Sequence, residues 1–150
     1  MLATFASFLS AFGLQGPVAV RADESSEPFS GVYVEDAVAT PAAAGEVSFV
    51  GFRIDNFSGR NLQLMGVNSD AAETTLVLVR RGGTGGRIAN TVLVMQDETL
   101  DLRTSHMWVE LRGLKSEVRE GDLVPLELIF ARGRVPAQAH AHAGAMSGDR

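Results

Sequence analysis

The chain has 150 residues, 45% of them apolar, which suits one domain with a real hydrophobic core. Lys and Arg number 13 against 18 Asp and Glu, a net charge of −5 with no basic stripe, so a nucleic-acid partner is excluded. There is no cysteine, which excludes disulfides, zinc–thiolate sites and cysteine nucleophiles.

The opening run "MLATFASFLSAFGL" is apolar but shorter than the roughly 20 residues a spanning helix needs. Val20 and Ala22 place small side chains three and one residues before a cut after Ala22. Residues 1–22 therefore read as a secretory signal peptide, although no Lys or Arg precedes Arg21 to make the usual basic n-region. The competing reading is a buried or interfacial N-terminal helix. "DESSEPFSG" is polar and turn-rich, so 23–30 read as a linker into the domain.

From residue 31 the pattern is that of strands. "GVYVEDAVAT" (31–40) stops at Pro41, and "AAAGEV" (42–47) is a small-residue loop. "VSFVGFRID" (47–55) puts Val50, Phe52 and Ile54 on one face by period-two alternation. After the turn "NFSGRN" come "LQLMGV" (62–67), a helix-like turn at "DAAET" (70–74) and "TTLVLVR" (74–80). "ANTVLVM" (89–95), "TLDLR" (99–103), "HMWVELR" (106–112) and "LVPLELIFA" (123–131) complete the set. In the last of these Val124, Leu126, Leu128 and Phe130 share a face, and Pro125 marks an edge position or the strand start. Met65 and Met95 lie in apolar runs and are expected in the core. Short strands punctuated by Gly, Asn, Asp and Pro, without a long helical period, define an all-β β-sandwich or Greek-key barrel, the domain running over 31–133. Residues 134–150 are Ala/Gly-rich and are expected to form a flexible tail containing His and Met.

Catalytic chemistry finds no support. His106 is the only histidine before residue 140, no nucleophile motif accompanies it, and the chain is read as not an enzyme. Asp55, Asp70, Asp97, Asp101 and Asp122 fall at turns or strand edges, where Asp serves turn chemistry. "RRGGTGGR" (80–87) lacks the Lys-Ser/Thr of a phosphate loop and reads as a hairpin loop. Its arginines, Arg80, Arg81 and Arg87, suit an acidic partner surface.

The stretches "VYVEDAVAT", "FVGFRIDNFSGRNLQLMGVNSDAA" and above all "HMWVELRGLKSEVREGDLVPLELIFARG" resemble, in that order, the periplasmic copper chaperone family PCu(A)C. The resemblance covers 31–133 and is most specific at 105–131. It implies a cupredoxin-like fold and delivery of copper(I) to the binuclear centre of a haem–copper oxidase. It also implies a ligand set of one His, a Met about eleven residues later, and a His-x-Met pair on the closing strand. Imidazole and thioether suit copper(I), and residues i and i+2 of a strand face the same way.

Carried over position by position, the second family His matches His106, while the family's His-x-Met methionine is replaced by Trp108, whose indole nitrogen is a donor only. The first His falls near Leu78 and the first Met near Ile88–Asn90, where neither residue type occurs. Met107 adjoins His106 but, on a strand, points to the other face. In "AHAHAGAM", His140, His142 and Met146 offer imidazoles and a thioether for copper, nickel or zinc. The expected metal contacts are thus His106, His140, His142 and Met146, with copper as the metal. The expected partner is a membrane-bound haem–copper oxidase subunit or another copper chaperone, the expected location the periplasm, and the expected state a monomer. The alternative is a β-sandwich interaction module that has lost its copper site.

Overall fold

The computed structural model describes residues 29–82 and 85–146. The expected signal peptide (1–22) and most of the expected linker lie outside the described residues. The strands are β1 (Val32–Ala39), β2 (Val47–Asn56), β3 (Leu62–Asn68), β4 (Ala72–Arg80), β5 (Gly86–Ile88), β6 (Val92–Val94), β7 (Thr99–Asp101), β8 (Met107–Leu114), β9 (Leu123–Phe130) and β10 (Gly133–Ala141). No α-helix occurs among the described residues.

Alternating side chains make these strands, as the pattern demanded. Val50, Phe52 and Ile54 are fully buried on β2, and Val124, Leu126, Leu128 and Phe130 point inward from β9. Each such side chain contributes about 1.5–3 kcal/mol of hydrophobic stabilisation. The strands form one sheet in the order β5-β4-β8-β2-β1-β10-β9-β3-β6, with β7 added beside the far end of β2. One core cluster collects Val77 of β4, Leu111 of β8, Phe52 of β2, Leu128 of β9, Leu64 of β3 and Val94 of β6. Strands from both ends of the order feed one core, so the sheet is rolled upon itself as a cupredoxin-like β-sandwich.

Four expectations need correction. The segment after Gly133 is not a loose tail up to Ala141. It forms β10, antiparallel to β9 over Gly133–His140 and parallel to β1 through Val38–His140 and Ala39–Ala141. Ala139 and Ala141 are buried, so small residues let β10 lie close over the core. The helix-like turn at 70–74 is a tight turn at Asp70 and Ala71 followed directly by β4. The strand expected over 89–95 is only β6, Val92–Val94, while β5, Gly86–Ile88, forms before it and begins inside the segment expected to be a hairpin loop. Met65 and Met95, expected inside, are 46% and 54% exposed, because both fall on the outward phase of their runs.

The domain also begins two residues earlier than expected. Phe29 is buried, its ring 5.4 Å from that of Phe130. Pro125 lies near the start of β9, opposite Gln138 and before the ladder with β3 begins at Glu127, so its missing N–H costs no pairing. Asn56 ends β2 with its side chain fully buried. Its amide donates to the carbonyls of Arg60, Val94 and Met95, and its oxygen accepts from Ser58. That one amide ties the end of β2 to β6.

Candidate functional site

The ladder brings the positions of the expected family ligands together. Leu78 on β4 stands opposite Trp108 on β8 and opposite Ile88 on β5. What occupies this convergence is hydrocarbon and indole. Leu78 and Trp108 are buried, at 4% and 6% exposure, and a Cβ placed on Gly86 would come within 2.8 Å of the Trp108 ring. The Trp108 indole N–H donates to Glu110 at 3.0 Å, and the Arg80 guanidinium lies 5.7 Å from the ring centroid, in cation–π range. These residues do not fit a copper ion. Leu and Ile carry no donor atom and the indole offers no lone pair, so His106 alone of the four positions can ligate.

His106 immediately precedes β8 and is exposed, its carbonyl accepting from Arg80 N–H. It lines an open groove of about 410 Å³ with Val79, Arg81, Arg87, Ile88, Leu93 and Met107, among others. Met107 was expected on the opposite face from His106. Both line this groove, because His106 lies just outside the strand and escapes its alternation.

The C-terminal donors sit elsewhere. His140 and His142 are exposed while Ala139 and Ala141 are buried, so both imidazoles leave the outer face of β10 and its continuation. The backbone there is held firmly. His142 N–H donates to Ala39, Ala141 N–H to Asp122, and Gly121 N–H to Ala141. Glu120 accepts from Ala143 N–H and lies 3.6 Å from His142 Nδ1. Met146 folds back over β2, its sulfur 2.5 Å from where a Gly51 side chain would begin. Gly51 is paired with Val38, and Val38 with His140. His140 and Gly51, over which the Met146 thioether rests, therefore lie on one row across the outer face, their Cα atoms about 10 Å apart at two strand spacings.

His106 does not join His140. Between β8 and β10 lie β2 and β1, a separation of about 14 Å at 4.8 Å per strand. Side chains leaving a convex outer face diverge, so one ion with bonds of about 2 Å cannot span this distance. His106 and His140 are thus too far apart to share one ion, and the Met146 thioether, over Gly51 of β2, lies between their strands. Among the described residues no group of three or more His, Asp or Glu is already arranged around a metal position.

The same outer face carries a charged network. Arg53 bridges Glu35, Asp36 and Asp55, and Arg103 bridges Asp101 and Asp36. A hydrogen bond from Thr99, and then Arg53, hold the Asp55 carboxyl below the usual carboxylate range against the opposing effect of burial. The guanidinium of Arg103 does the same for Asp101.

A mostly antiparallel sheet rolled around one core, with the positions expected for the ligands gathered on β4, β5 and β8, defines a domain of the PCuAC type. The model of the family described as "Putative lipoprotein LpqE-like" matches residues 32–140, and the chain belongs to that family. Among solved structures it is similar to the copper-bound PCuAC domain from PmoF2, at 16% identity and a TM-score of 0.65, covering 75% of this chain and 93% of that one. It is similar to the apo PCuAC domain from PmoF1, at 19% identity and a TM-score of 0.66, covering 75% and 94%. It is also similar to Cu(I)-DR1885 from Deinococcus radiodurans, at 23% identity and a TM-score of 0.57, covering 74% and 79%. Among curated proteins nothing matches the chain.

Proposed function

We propose that this chain is an exported, periplasmic copper chaperone-like protein whose copper rides on the outer face at the end of β10 instead of the family position. The observation that supports this reading is the row Gly51–Val38–His140, which has the Met146 thioether and the His140 imidazole on one surface, with His142 two residues on, just past the end of β10. Two neutral imidazoles and a thioether favour copper over the harder divalent ions. Copper is cargo here: it is taken up and handed on by ligand exchange, with no bond made or broken in a substrate. A membrane-bound haem–copper oxidase subunit or a second copper chaperone is the proposed recipient.

Anaerobic copper(I) titration against a competing chelator tests the site. Saturable binding of one ion is expected, weakened at least tenfold in His140→Ala/His142→Ala, reduced in Met146→Leu and unchanged in His106→Ala. No saturable binding, or loss confined to His106→Ala, rejects the assignment.

One observation favours a second reading, an interaction module on the same scaffold. The family copper position is filled by a well-packed indole, with Glu110 and Arg80 partnering it. Absence of copper binding by the full chain, together with capture of a protein partner, would establish that reading.

A further inference from the structure

The two ends of the sheet order, β5 and β6, meet at the groove that His106 lines. Arg87 and Ile88 come from β5, Val92 and Leu93 from β6, and Ala89 and Thr91 from the link between them. Each of these strands has a single strand neighbour, β4 for β5 and β3 for β6, so each presents an open edge. Ala89 N–H donates to Val77 of β4. By the alternation of an antiparallel ladder, the N–H and C=O of Ile88 then face away from β4, toward that edge.

The side chains around the edge are of two kinds. Ile88 and Leu93 are 59% and 52% exposed, and Met107 lies among them. Arg81, Arg87 and His106 supply the polar rim. No carboxylate is among the described residues lining the groove, although the chain as a whole carries a net charge of −5. A local reversal of charge sign beside apolar anchors and an unpaired strand edge suits one kind of occupant: an extended peptide that is both acidic and apolar.

We infer that the groove between β5 and β6 is a docking site for an extended acidic segment of a partner protein, added as a strand along β5. Its carboxylates pair with Arg81 and Arg87, and its alternate apolar side chains rest on Ile88, Leu93 and Met107. The backbone of Ile88 supplies the ladder contact. This inference stands apart from copper, because none of His140, His142 and Met146 lines the groove.

The test uses the full chain and a fluorescein-labelled ten-residue peptide alternating Glu with Val, read by fluorescence anisotropy. Controls are the same peptide with Lys for Glu, and one N-methylated at alternate backbone nitrogens. Saturable binding of the Glu peptide is expected, at least tenfold tighter than the Lys peptide, weakened by added salt and lost on N-methylation. Arg81→Glu/Arg87→Glu should lower affinity for the Glu peptide at least tenfold and raise that for the Lys peptide. Should charge reversal unfold the hairpin, Arg81→Gln/Arg87→Gln provides the same comparison. Equal binding of the Glu and Lys peptides, or unchanged binding in both double variants, overturns the proposal. So does binding of phosphatidylglycerol vesicles, abolished by the same variants, without binding of the peptide.

Discussion

Trp108 stands directly across the β4–β8 ladder from Leu78, and both are buried. These are two of the positions at which the resemblance to copper chaperones places ligands, and the third, Ile88, is the next neighbour of Leu78 on β5. The ladder thus brings these three positions together, with the Leu78 and Trp108 side chains buried there. A packed aromatic–aliphatic contact gains hydrophobic stabilisation that a polar ligand pair would forgo without metal.

Restoring the ligands should restore the metal. The triple variant Leu78→His/Ile88→Met/Trp108→Met, with His106 in place, is expected to bind copper(I) at a new site. Binding should raise the melting temperature only when copper is present, because a ligand that binds the folded state adds about 2.7 kcal/mol at a hundredfold excess over Kd. Without copper the variant should melt below the parent, since burying an unpaired imidazole where Leu78 stood costs about 1–3 kcal/mol. Identical copper affinity in parent and variant would show that the β4–β5–β8 positions do not converge as described.

Gly51 leaves room for Met146. An added methyl would meet the Met146 sulfur at 2.5 Å and Arg103 Cγ at 2.9 Å. Met146 is the end of a flexible side chain near the chain terminus, so it yields before the sheet does. Gly51→Ala is therefore expected to release Met146, increasing proteolytic trimming near residue 146 while the melting temperature changes little. Copper affinity should fall as it does in Met146→Leu. A large loss of stability instead would mean that the strain falls on β2.

Acid should destabilise the outer face in a defined window. Asp55 and Asp101 both titrate below the unfolded value of about 3.9. A carboxylate with a lowered folded pKa stabilises the fold above the unfolded pKa, and that contribution is lost as pH falls through the folded pKa. Melting temperature should thus be flat from neutral pH to about 5 and decline below about 4. Asp101→Asn should lower the melting temperature at pH 7 and make the acid decline shallower. An identical decline in wild type and in an Asp55→Asn/Asp101→Asn variant would contradict the assignment.

Asn56 carries a structural load disproportionate to its size. Its amide serves three carbonyls, and its oxygen accepts from the Ser58 backbone and hydroxyl. Asn56→Ala leaves carbonyls beside the core without donors, at a cost of about 2–3 kcal/mol. Urea unfolding should show a lower midpoint with an unchanged slope. Asn56→Asp should cost as much or more, because a carboxylate cannot donate to Arg60, Val94 and Met95.

Much of the fold was legible along the chain. The inward phase of β2 and β9 follows from Val50, Phe52, Ile54, Val124, Leu126, Leu128 and Phe130, which recur at every second position. The closing strand and its turn carried the resemblance. Less legible was β10, although "AQAHAHA" does alternate. Its fully buried residues, Ala139 and Ala141, are alanines, whose weak hydrophobicity and low strand propensity give little signal until β1 and β9 flank them. Met65 and Met95 misled for the opposite reason: their apolar character was clear, but strand phase decides exposure, and a one-residue shift moves a side chain from core to surface.

The sequence by itself determined the class of the domain and the chemistry available to it: no thiol, one histidine before the last strand, an indole where a thioether was needed, and a closing pair of histidines. The tertiary structure decided which of these can act together. Strand order places β2 and β1 between His106 and His140, and a fold-back of the chain sets Met146 on the row of His140. The same order brings β5 and β6, opposite ends of the sheet, to the two sides of one groove. Local pattern specifies which face a side chain takes, because alternation is a property of a few consecutive residues. Which strands become neighbours depends on how the whole sheet closes over its core, and no short stretch of sequence encodes that.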